Sequence, residues 1–531
     1  MPPRASDNPQ RATRAGDPDS LTGAPPSAAR PPSPKAPGPP IPLIFDTGHE
    51  GRANRYVDAG KPLDAFLPKN VLRDDLPLPD NSELDVVRHF TKLSHRTFGI
   101  DLGFYPLGSC TMKYNPRIND AMASRPGFAE LHPYAPDELA QGALQVMWEL
   151  ERTLSSLFGM AAFSLNPSAG AHAELAALLI AKRYFKDRGE TGRDKVVVPD
   201  TAHGTNPASA AMCGFKVISI PSDARGRVSV EEIRKAIGSD TAVCMMTNPN
   251  TLGLFEDHVH EITAAVHEAG GLMYYDGANA NAIMGNVRPG DMGFDLMHLN
   301  THKTFTIPHG GGGAGHGPVG VAPHLVDYLP TPVVVATAKE NGDANAAPSD
   351  RMSFRLEFDR PKSIGPMRSF WSNFAHAVRA LAYIYANGAE GLTRVSQLAV
   401  LNANYLRVKI AEFLETPYPE VCRHEFVCSA QQLKRDTGVK ALDIAKALLD
   451  RGYMAPTMYF PLIVPECLMI EPTETESKET LDEFVEAMRE IVAEAKTNPQ
   501  ALLDAPVTTV VGRVDETRAA RQPDLRWVAT N

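Results

Sequence analysis

Apolar residues recur at steps of three and four between positions 139 and 157. Leu139, Ala143, Met147, Leu150, Leu154 and Leu157 fall on one side of a helical wheel. The spacing predicts an amphipathic helix there, with Asp137 just ahead as its N-cap. Farther on, the pattern changes to short apolar runs: KVVVP (195–199), FKVISI (215–220), TAVCMMTN (241–248) and GLMYYDG (271–277). Helical patterns lie between several of them, at 171–185 and at 257–269, the latter through Val259, Ile262 and Val266. Short apolar strands alternating with helices predict a mostly parallel sheet covered on both faces. Ligands of such sheets gather at the carboxyl ends of the strands. Near the C-terminus, Leu481, Phe484, Val485, Met488, Ile491 and Val492 repeat the helical period, and the region 350–500 reads as a smaller α+β unit. The segment FGIDLGFYPLGSCTMKYNP (98–116) is punctuated by Gly and Pro and reads as an ordered loop. No internal repeat is present.

The first forty residues stand apart, rich in Pro, Ala, Ser and Arg and almost free of large apolar side chains. Such a segment cannot bury enough surface to offset its ordering entropy, so it reads as a disordered tail. It has no apolar signal core, and Asp7, Asp17 and Asp19 argue against a transit peptide. The organisation expected is a tail at 1–42, an N-terminal arm at 43–135, a large domain at 136–335, a small C-terminal domain at 336–505 and a tail at 506–531.

Composition narrows the class. A chain of 531 residues with 43% apolar content is long enough for two or three packed domains. No run of apolar residues is long enough to span a membrane. Lys plus Arg is 53 against 63 acids, a net charge of −10 without the basic footprint of a nucleic-acid binder. The 6 cysteines form no C-x-x-C pair and no metal-finger spacing, which fits reduced thiols in a cytoplasmic protein and no metal site.

Three features carry chemistry. Ser168-Ala169-Gly170-Ala171 opens a helix, and the free amides of a helix N-terminus suit a phosphate; plain capping by Ser168 is the alternative. Asp276 ends the strand run 272–275, as a loop cap, a metal ligand or a partner for a protonated ring nitrogen. Lys303 stands among Thr301, His302, Thr304 and Phe305, ahead of the glycines 310–313. A lysine amine whose pKa is lowered by burial or by nearby cations forms Schiff bases with carbonyls. Phosphate turn, strand-end acid and lysine together suit pyridoxal 5′-phosphate: the lysine for its aldehyde, the acid for its pyridine nitrogen and the helix end for its phosphate.

The chain also resembles the P-protein of the glycine cleavage system, glycine dehydrogenase (decarboxylating), in its two-chain form. The resemblance rests on FYPLGSCTMKYNP (104–116), HPYAP (132–136), SAGAHAEL (168–175), DTAHGTNPASA (200–210), TNPNTLGLFE (247–256), YYDGANANAIMG (274–285), HLNTHKTF (298–305), PHGGGG (308–313) and MIEPTETESKETLD (469–482). It covers about residues 60–500 and points to the lysine-bearing second subunit, since a single-chain P-protein would need about twice this length.

The resemblance implies an α/β fold, with a large domain like the pyridoxal-phosphate-dependent transferases of fold type I and a smaller C-terminal α+β domain. It implies an oxidoreductase that decarboxylates glycine and passes the aminomethyl group to the lipoyl group of H-protein. Lys303 would be the catalytic, cofactor-anchoring lysine and Asp276 the pyridinium partner. His203 would stack on one ring face, Ala278 would close the other, and Asn250 would donate to the phenolic oxygen. Ser168, Ala169 and Gly170 would hold the phosphate, helped by Thr301 or His302. The expected partner is subunit 1, in a heterotetramer of two plus two, with the loop 308–317 able to reach a neighbour's site. Another enzyme of this fold, an aminotransferase or amino-acid decarboxylase, is the rival. Cys110 and Lys113 stay unassigned between a substrate-channel role and a structural one. Arg355, Arg360 and Arg368 remain equal candidates for the glycine carboxylate.

Overall fold

The computed structural model describes residues 39–49, 51–52, 66–72, 78–309, 313, 315–339 and 351–526. The expected disordered tail at 1–42 lies almost wholly outside the described residues, as do 310–312 and 314 of the loop 308–317.

Seven strands build the large sheet: β1 (Ala162–Ser164), β2 (Lys195–Pro199), β3 (Lys216–Ile220), β4 (Thr241–Thr247), β5 (Leu272–Gly277), β6 (Leu296–Leu299) and β7 (Val319–Val321). Their order is β1-β7-β6-β5-β4-β2-β3. Neighbours from β3 to β6 run parallel, and β7 is antiparallel to both β1 and β6. Every residue of β4 and β5 is buried, because helices cover both faces, which is why these strands read as unbroken apolar runs. Edge strand β3 is largely exposed and keeps Lys216 and Ser219 outward.

The helix expected near 139 is present but displaced. It runs Gln141–Phe158 and buries Leu144, Met147, Leu150, Leu154 and Phe158. Leu139 is 74% exposed in a preceding 3-10 turn, Asp137–Leu139. Asp137 does not cap the helix; its carboxylate accepts from the Leu356 amide at 2.9 Å and ties the turn to a neighbouring strand. That strand belongs to an antiparallel pair, β8 (Val333–Ala338) with β9 (Met352–Glu357).

The expected boundary at 335/336 therefore falls inside β8, and Val334 and Phe354 of the pair pack in the large core. The long helix Phe374–Ile410 bridges the two units. Its first half gives Ala377, Ala380 and Leu381 to the large core, and its last turns give Ala403, Leu406 and Ile410 to the smaller one. Gly388, at φ 62°, interrupts the helix between them with a backbone only glycine adopts freely. The smaller unit is a three-stranded antiparallel sheet, β10 (Phe426–Ser429), β12 (Cys467–Ile470) and β11 (Thr457–Met458), backed by helix Lys478–Thr497. Leu481, Phe484, Val485, Met488, Ile491 and Val492 of that helix are all buried, as their period predicts.

Candidate active site

The register of the parallel strands places Thr247, Asp276 and His298 side by side at the carboxyl edge of β4, β5 and β6. A cavity of about 240 Å³ opens there. It is lined by Ala169, Gly170, His203, Asp276, Ala278 and Lys303, with Glu174, Thr205, Asn300 and His302 beside them.

Asp276 is 1% exposed. Its Oδ1 accepts from the Ala278 amide at 3.0 Å, and its Oδ2 accepts from Asn206 Nδ2 at 3.1 Å. Burial alone would raise its pKa; the adjacent His298, the Ala278 amide, Lys303 and Asn206 more than reverse this and hold the carboxyl below its usual value. An acid kept ionised in a buried place is suited to a cationic partner. Lys303 projects from the helical turn Thr301–Thr304 that follows β6. Thr301 fixes that turn through its amide (3.1 Å) and hydroxyl (3.0 Å), both donating to the His316 carbonyl.

Opposite lies the N-terminus of helix Gly170–Asp187, whose N-cap, Ala169, offers no side-chain cap. The amides at this helix start are therefore open to an anion. Gly170 is required for the cradle, because a Cβ there would meet Asn300 Oδ1 at 1.9 Å. Buried Asn300 Oδ1 and His302 Nδ1 have no hydrogen-bond partner. Burial lowers the His302 pKa to about 3, with Lys303 and His309 adding to the fall, so its ring is neutral. A phosphate at the helix end, an aldehyde at Lys303 and a ring nitrogen at Asp276 fit this cleft.

Three expected site residues are placed otherwise. Asn250 is buried and spends all its bonds on its own turn and a neighbouring loop. Its Oδ1 accepts from the Leu252 (3.0 Å) and Leu254 (3.2 Å) amides, and its Nδ2 donates to the Gly226 carbonyl (2.8 Å) and to Glu256 (3.1 Å). No donor is left for a ring oxygen. Thr301 is committed to His316, as above, and does not line the cavity. Ser168 neither caps the helix nor lines the cleft; its amide already donates to His172 Nδ1 at 3.2 Å, so the open amides begin at Ala169. His203, Ala278, Ala169, Gly170, His302, Asp276 and Lys303 do converge on it.

The loop 98–116 is built into the smaller unit and faces the cleft. Leu107 bridges to Ile470, the Ser109 amide donates to Glu425 (2.7 Å), and the Thr111 amide donates to Glu471 (2.9 Å). Ser109 and Thr111 adopt φ of 62° and 52° under these bonds. Between them Cys110 lies within the field of Lys303; burial raises its thiol pKa and the lysine charge opposes the rise. Lys113, 3% exposed, pairs with Glu474 at 2.8 Å and donates to the Thr304 carbonyl at 3.0 Å, one residue past Lys303. This gives Lys113 a structural part. Lys113→Met leaves Glu474 buried and unpaired, so urea denaturation should show a loss of about 3–5 kcal/mol. A loss below about 1 kcal/mol would reject that part.

Of the three arginines, Arg355 pairs with Glu357 (3.0 Å) at the surface and Arg360 donates to the Val326 carbonyl (2.8 Å). Arg368 alone reaches the site's frame: it donates to Asn373, whose Nδ2 donates to the Ser168 carbonyl at 3.1 Å.

Sequence reasoning passed over Glu174, Thr205 and Asn300. All three lie within the quoted strings SAGAHAEL, DTAHGTNPASA and HLNTHKTF, but only folding shows them facing the cavity.

Comparisons with known proteins bear on the family and the fold. Residues 395–509 match the family described as glycine dehydrogenase, C-terminal domain, and residues 168–313 match aminotransferase class-V. A protein of Exiguobacterium sibiricum named probable glycine dehydrogenase (decarboxylating) subunit 2 is 55% identical, over 91% of this chain and 97% of its own length. One of the same name from Thermotoga maritima is 54% identical, over 91% and 99%. Among solved structures, a glycine decarboxylase (P-protein) of the glycine cleavage system, in inhibitor-bound form, superposes with a TM-score of 0.67 at 24% identity. It covers 81% of this chain and 94% of that one. A NifS-like protein superposes at 0.54 with 16% identity, over 74% and 99%. Both likenesses concern the fold.

Proposed function

The chain belongs to the glycine dehydrogenase (decarboxylating) subunit 2 family, and on that premise we propose that its cleft decarboxylates glycine and that the aminomethyl group passes to the lipoyl group of H-protein. The observation that carries the reading is the convergence of Lys303, Asp276 and an uncapped helix N-terminus on one cavity. Pyridoxal phosphate supplies the electron sink for the carbanion left as CO2 departs. Lys303 is the amine that anchors its aldehyde. Asp276, held ionised, keeps a proton on the ring nitrogen, and the amides from Ala169 onward take the phosphate. His203 and Ala278, which line the cavity, would take the two ring faces. His302, neutral, is available as a hydrogen-bond donor to the phosphate. Arg368 is the cation we assign to the glycine carboxylate's side of the cleft.

The rival, an aminotransferase or amino-acid decarboxylase of the same fold, would share the lysine and acid. Membership of this family disfavours it.

The name of the family implies a subunit 1, and we take the assembly to be two plus two. An exposed apolar face supports the reading: helix Glu83–Ser94 is closed by a Ser82–Asp85 capping box yet buries none of its residues, and it turns Leu84, Val87 and Phe90 outward. Such an apolar face suits burial by another subunit. Among the described residues no helix is long and apolar enough to cross a membrane, and we place the enzyme in the cytoplasm.

The test is glycine–CO2 exchange. The chain alone should acquire the absorbance of bound pyridoxal phosphate but exchange poorly; added subunit 1 should restore exchange, and lipoylated H-protein should carry it to full turnover. No exchange in the reconstituted pair would sink the glycine reading, and full activity of the single chain would sink the two-subunit one.

A further inference from the structure

We propose that His424, Glu425 and Glu471, in the smaller unit behind the loop 98–116, form a binding site for one divalent transition cation, Zn2+ by the chemistry of the donors. The site is distinct from the cleft, since none of the three lines the cavity at Lys303.

Sheet register brings the donors together. His424 and Glu425 lead into β10, and Glu471 follows β12 directly. Phe426 pairs with Ile470, so one further step of the register sets Glu425 opposite Glu471. All three residues are 0% exposed. One ligand atom from each lies within 4.8 Å of the other two.

The way their polar atoms are spent points to a ligand. Each carboxylate uses one oxygen on the loop 98–116: Glu425 Oε2 accepts from the Ser109 amide at 2.7 Å and Glu471 Oε2 from the Thr111 amide at 2.9 Å. Glu425 Oε1 has no hydrogen-bond partner, and neither ring nitrogen of His424 has one. Asn281 Nδ2 donates to Glu471 Oε1 at 3.4 Å and leaves its own Oδ1 unpaired. Buried polar atoms are rarely left so, and a single ion among them would serve the imidazole and both carboxylates at once.

Spacing and charge agree with an ion. His424 Nε2 and Glu425 Oε1 stand 3.5 Å apart. Zinc bonds to nitrogen and oxygen of about 2.0–2.2 Å, meeting at a tetrahedral angle, hold two ligand atoms roughly 3.3–3.6 Å apart. Burial lowers the His424 pKa to about 3, with Lys303 adding to the fall, so the ring is in its neutral, ligating form. Burial pushes both carboxyls above their usual range, Glu471 adding to the rise at Glu425, and a cation takes the place of the protons they would otherwise hold. The Lys303 charge reaches all three groups, but it is one charge against two carboxylates, and the cofactor reading spends that amine on an aldehyde. An imidazole beside two carboxylates suits zinc better than magnesium or calcium, which favour all-oxygen sites. The cysteine spacing that predicts no metal site does not bear on such a donor set. A second buried group, Glu174, Asp276 and His298, is equally close-set but belongs to the cleft. By fixing Glu425 and Glu471, the ion would fix the Ser109 and Thr111 amides and so the loop that carries Cys110 toward Lys303.

Zinc content tests the site. The full chain, co-expressed with subunit 1 in zinc-supplemented medium and washed with EDTA, should carry about one zinc per copy by plasma mass spectrometry. His424→Gln and Glu471→Gln should each cut the zinc that this chain carries to below about a tenth of that, while Asp276→Asn, which disarms the other buried group, should keep it. X-ray absorption at the zinc edge of the wild type should show one imidazole and otherwise oxygen donors, at about 2.0–2.2 Å. A sulfur shell near about 2.3 Å, or more than one imidazole, would place the ion elsewhere and overturn the site whether or not the glutamine variants fold. So would a wild-type protein without stoichiometric zinc, or folded variants that keep the full zinc content.

Discussion

Lys303→Ala is expected to abolish glycine–CO2 exchange, by at least about 10⁴-fold, in the enzyme reconstituted with subunit 1. The effect is large because no other amine among the residues lining the cavity can replace it: its companions there are carboxyls, amides, hydroxyls, imidazoles and aliphatic groups. Lys113, the nearest lysine in the loop 98–116, is locked to Glu474 and the Thr304 carbonyl and cannot swing in. The helical turn Thr301–Thr304 is fixed by Thr301 and Lys113 rather than by the Lys303 side chain, so the alanine variant should fold. The variant should also release pyridoxal phosphate on gel filtration, having lost the covalent anchor. Exchange above about one per cent of wild type in a folded variant would remove Lys303 from the chemistry.

Asp276→Asn should lower the rate by about 10²–10⁴, or roughly 3–5 kcal/mol in the barrier. The amide fits the same space and can still accept from the Ala278 N–H, and a flip of Asn206, whose Oδ1 has no partner, would accept from the new NH2, so the loss reflects chiefly the charge. An uncharged side chain no longer favours a proton on the ring nitrogen, and the electron sink weakens. The sign of the pH dependence follows from the depressed pKa. Asp276 is ionised at neutral pH, its contribution is lost only as pH falls through a value below the usual carboxylate range, and activity at neutral pH is unaffected by its titration. The same substitution removes the negative charge that helps to raise the Glu174 pKa, so Glu174 should titrate at a lower pH in the variant. A variant with more than half the wild-type rate would rule out this electrostatic role.

Lys303 and Asp276, which share one cavity, could be singled out from sequence because their settings are rare. A lysine set in a run of small, hydroxyl and imidazole side chains has few structural uses, and an acid closing a wholly apolar strand must face the sheet's carboxyl edge. Asn250 was misread for an equally physical reason. Two amides of its turn between β4 and the helix Val259–Glu268 and the Gly226 carbonyl of a neighbouring loop need partners inside the protein, and Asn250 uses both of its polar atoms to satisfy them. Ser168 precedes the helix at the right distance for a cap, yet the chain enters extended at Ala169 and the Ser168 amide turns to His172 instead. Neither outcome is encoded in spacing. The misplaced boundary at 335 has the same origin: β8 and β9 are apolar enough for either unit, and only their packing against helix Gln141–Phe158 assigns them to the large one.

Local pattern and motif by themselves determined the parallel sheet, the order of its strands' elements along the chain, the helix Gly170–Asp187 that opens on the cleft, and the lysine and the acid as candidates. Each of these depends on interactions between near neighbours in sequence or on a side chain's intrinsic chemistry, so each leaves a mark in the sequence. Tertiary structure alone decided the rest. Asp276 is held below the usual carboxylate range and Glu174 is pushed above it because strands and a helix from distant positions bury the two carboxyls near each other, while an amide N–H and the Asn206 side chain donate to Asp276. Lys113 came to brace the Lys303 turn because the loop 98–116 crosses between the two units, 361 residues in sequence from Glu474. Protonation states and cross-braces are set by which groups share a low-dielectric space, and that depends on the packing of segments far apart in the chain.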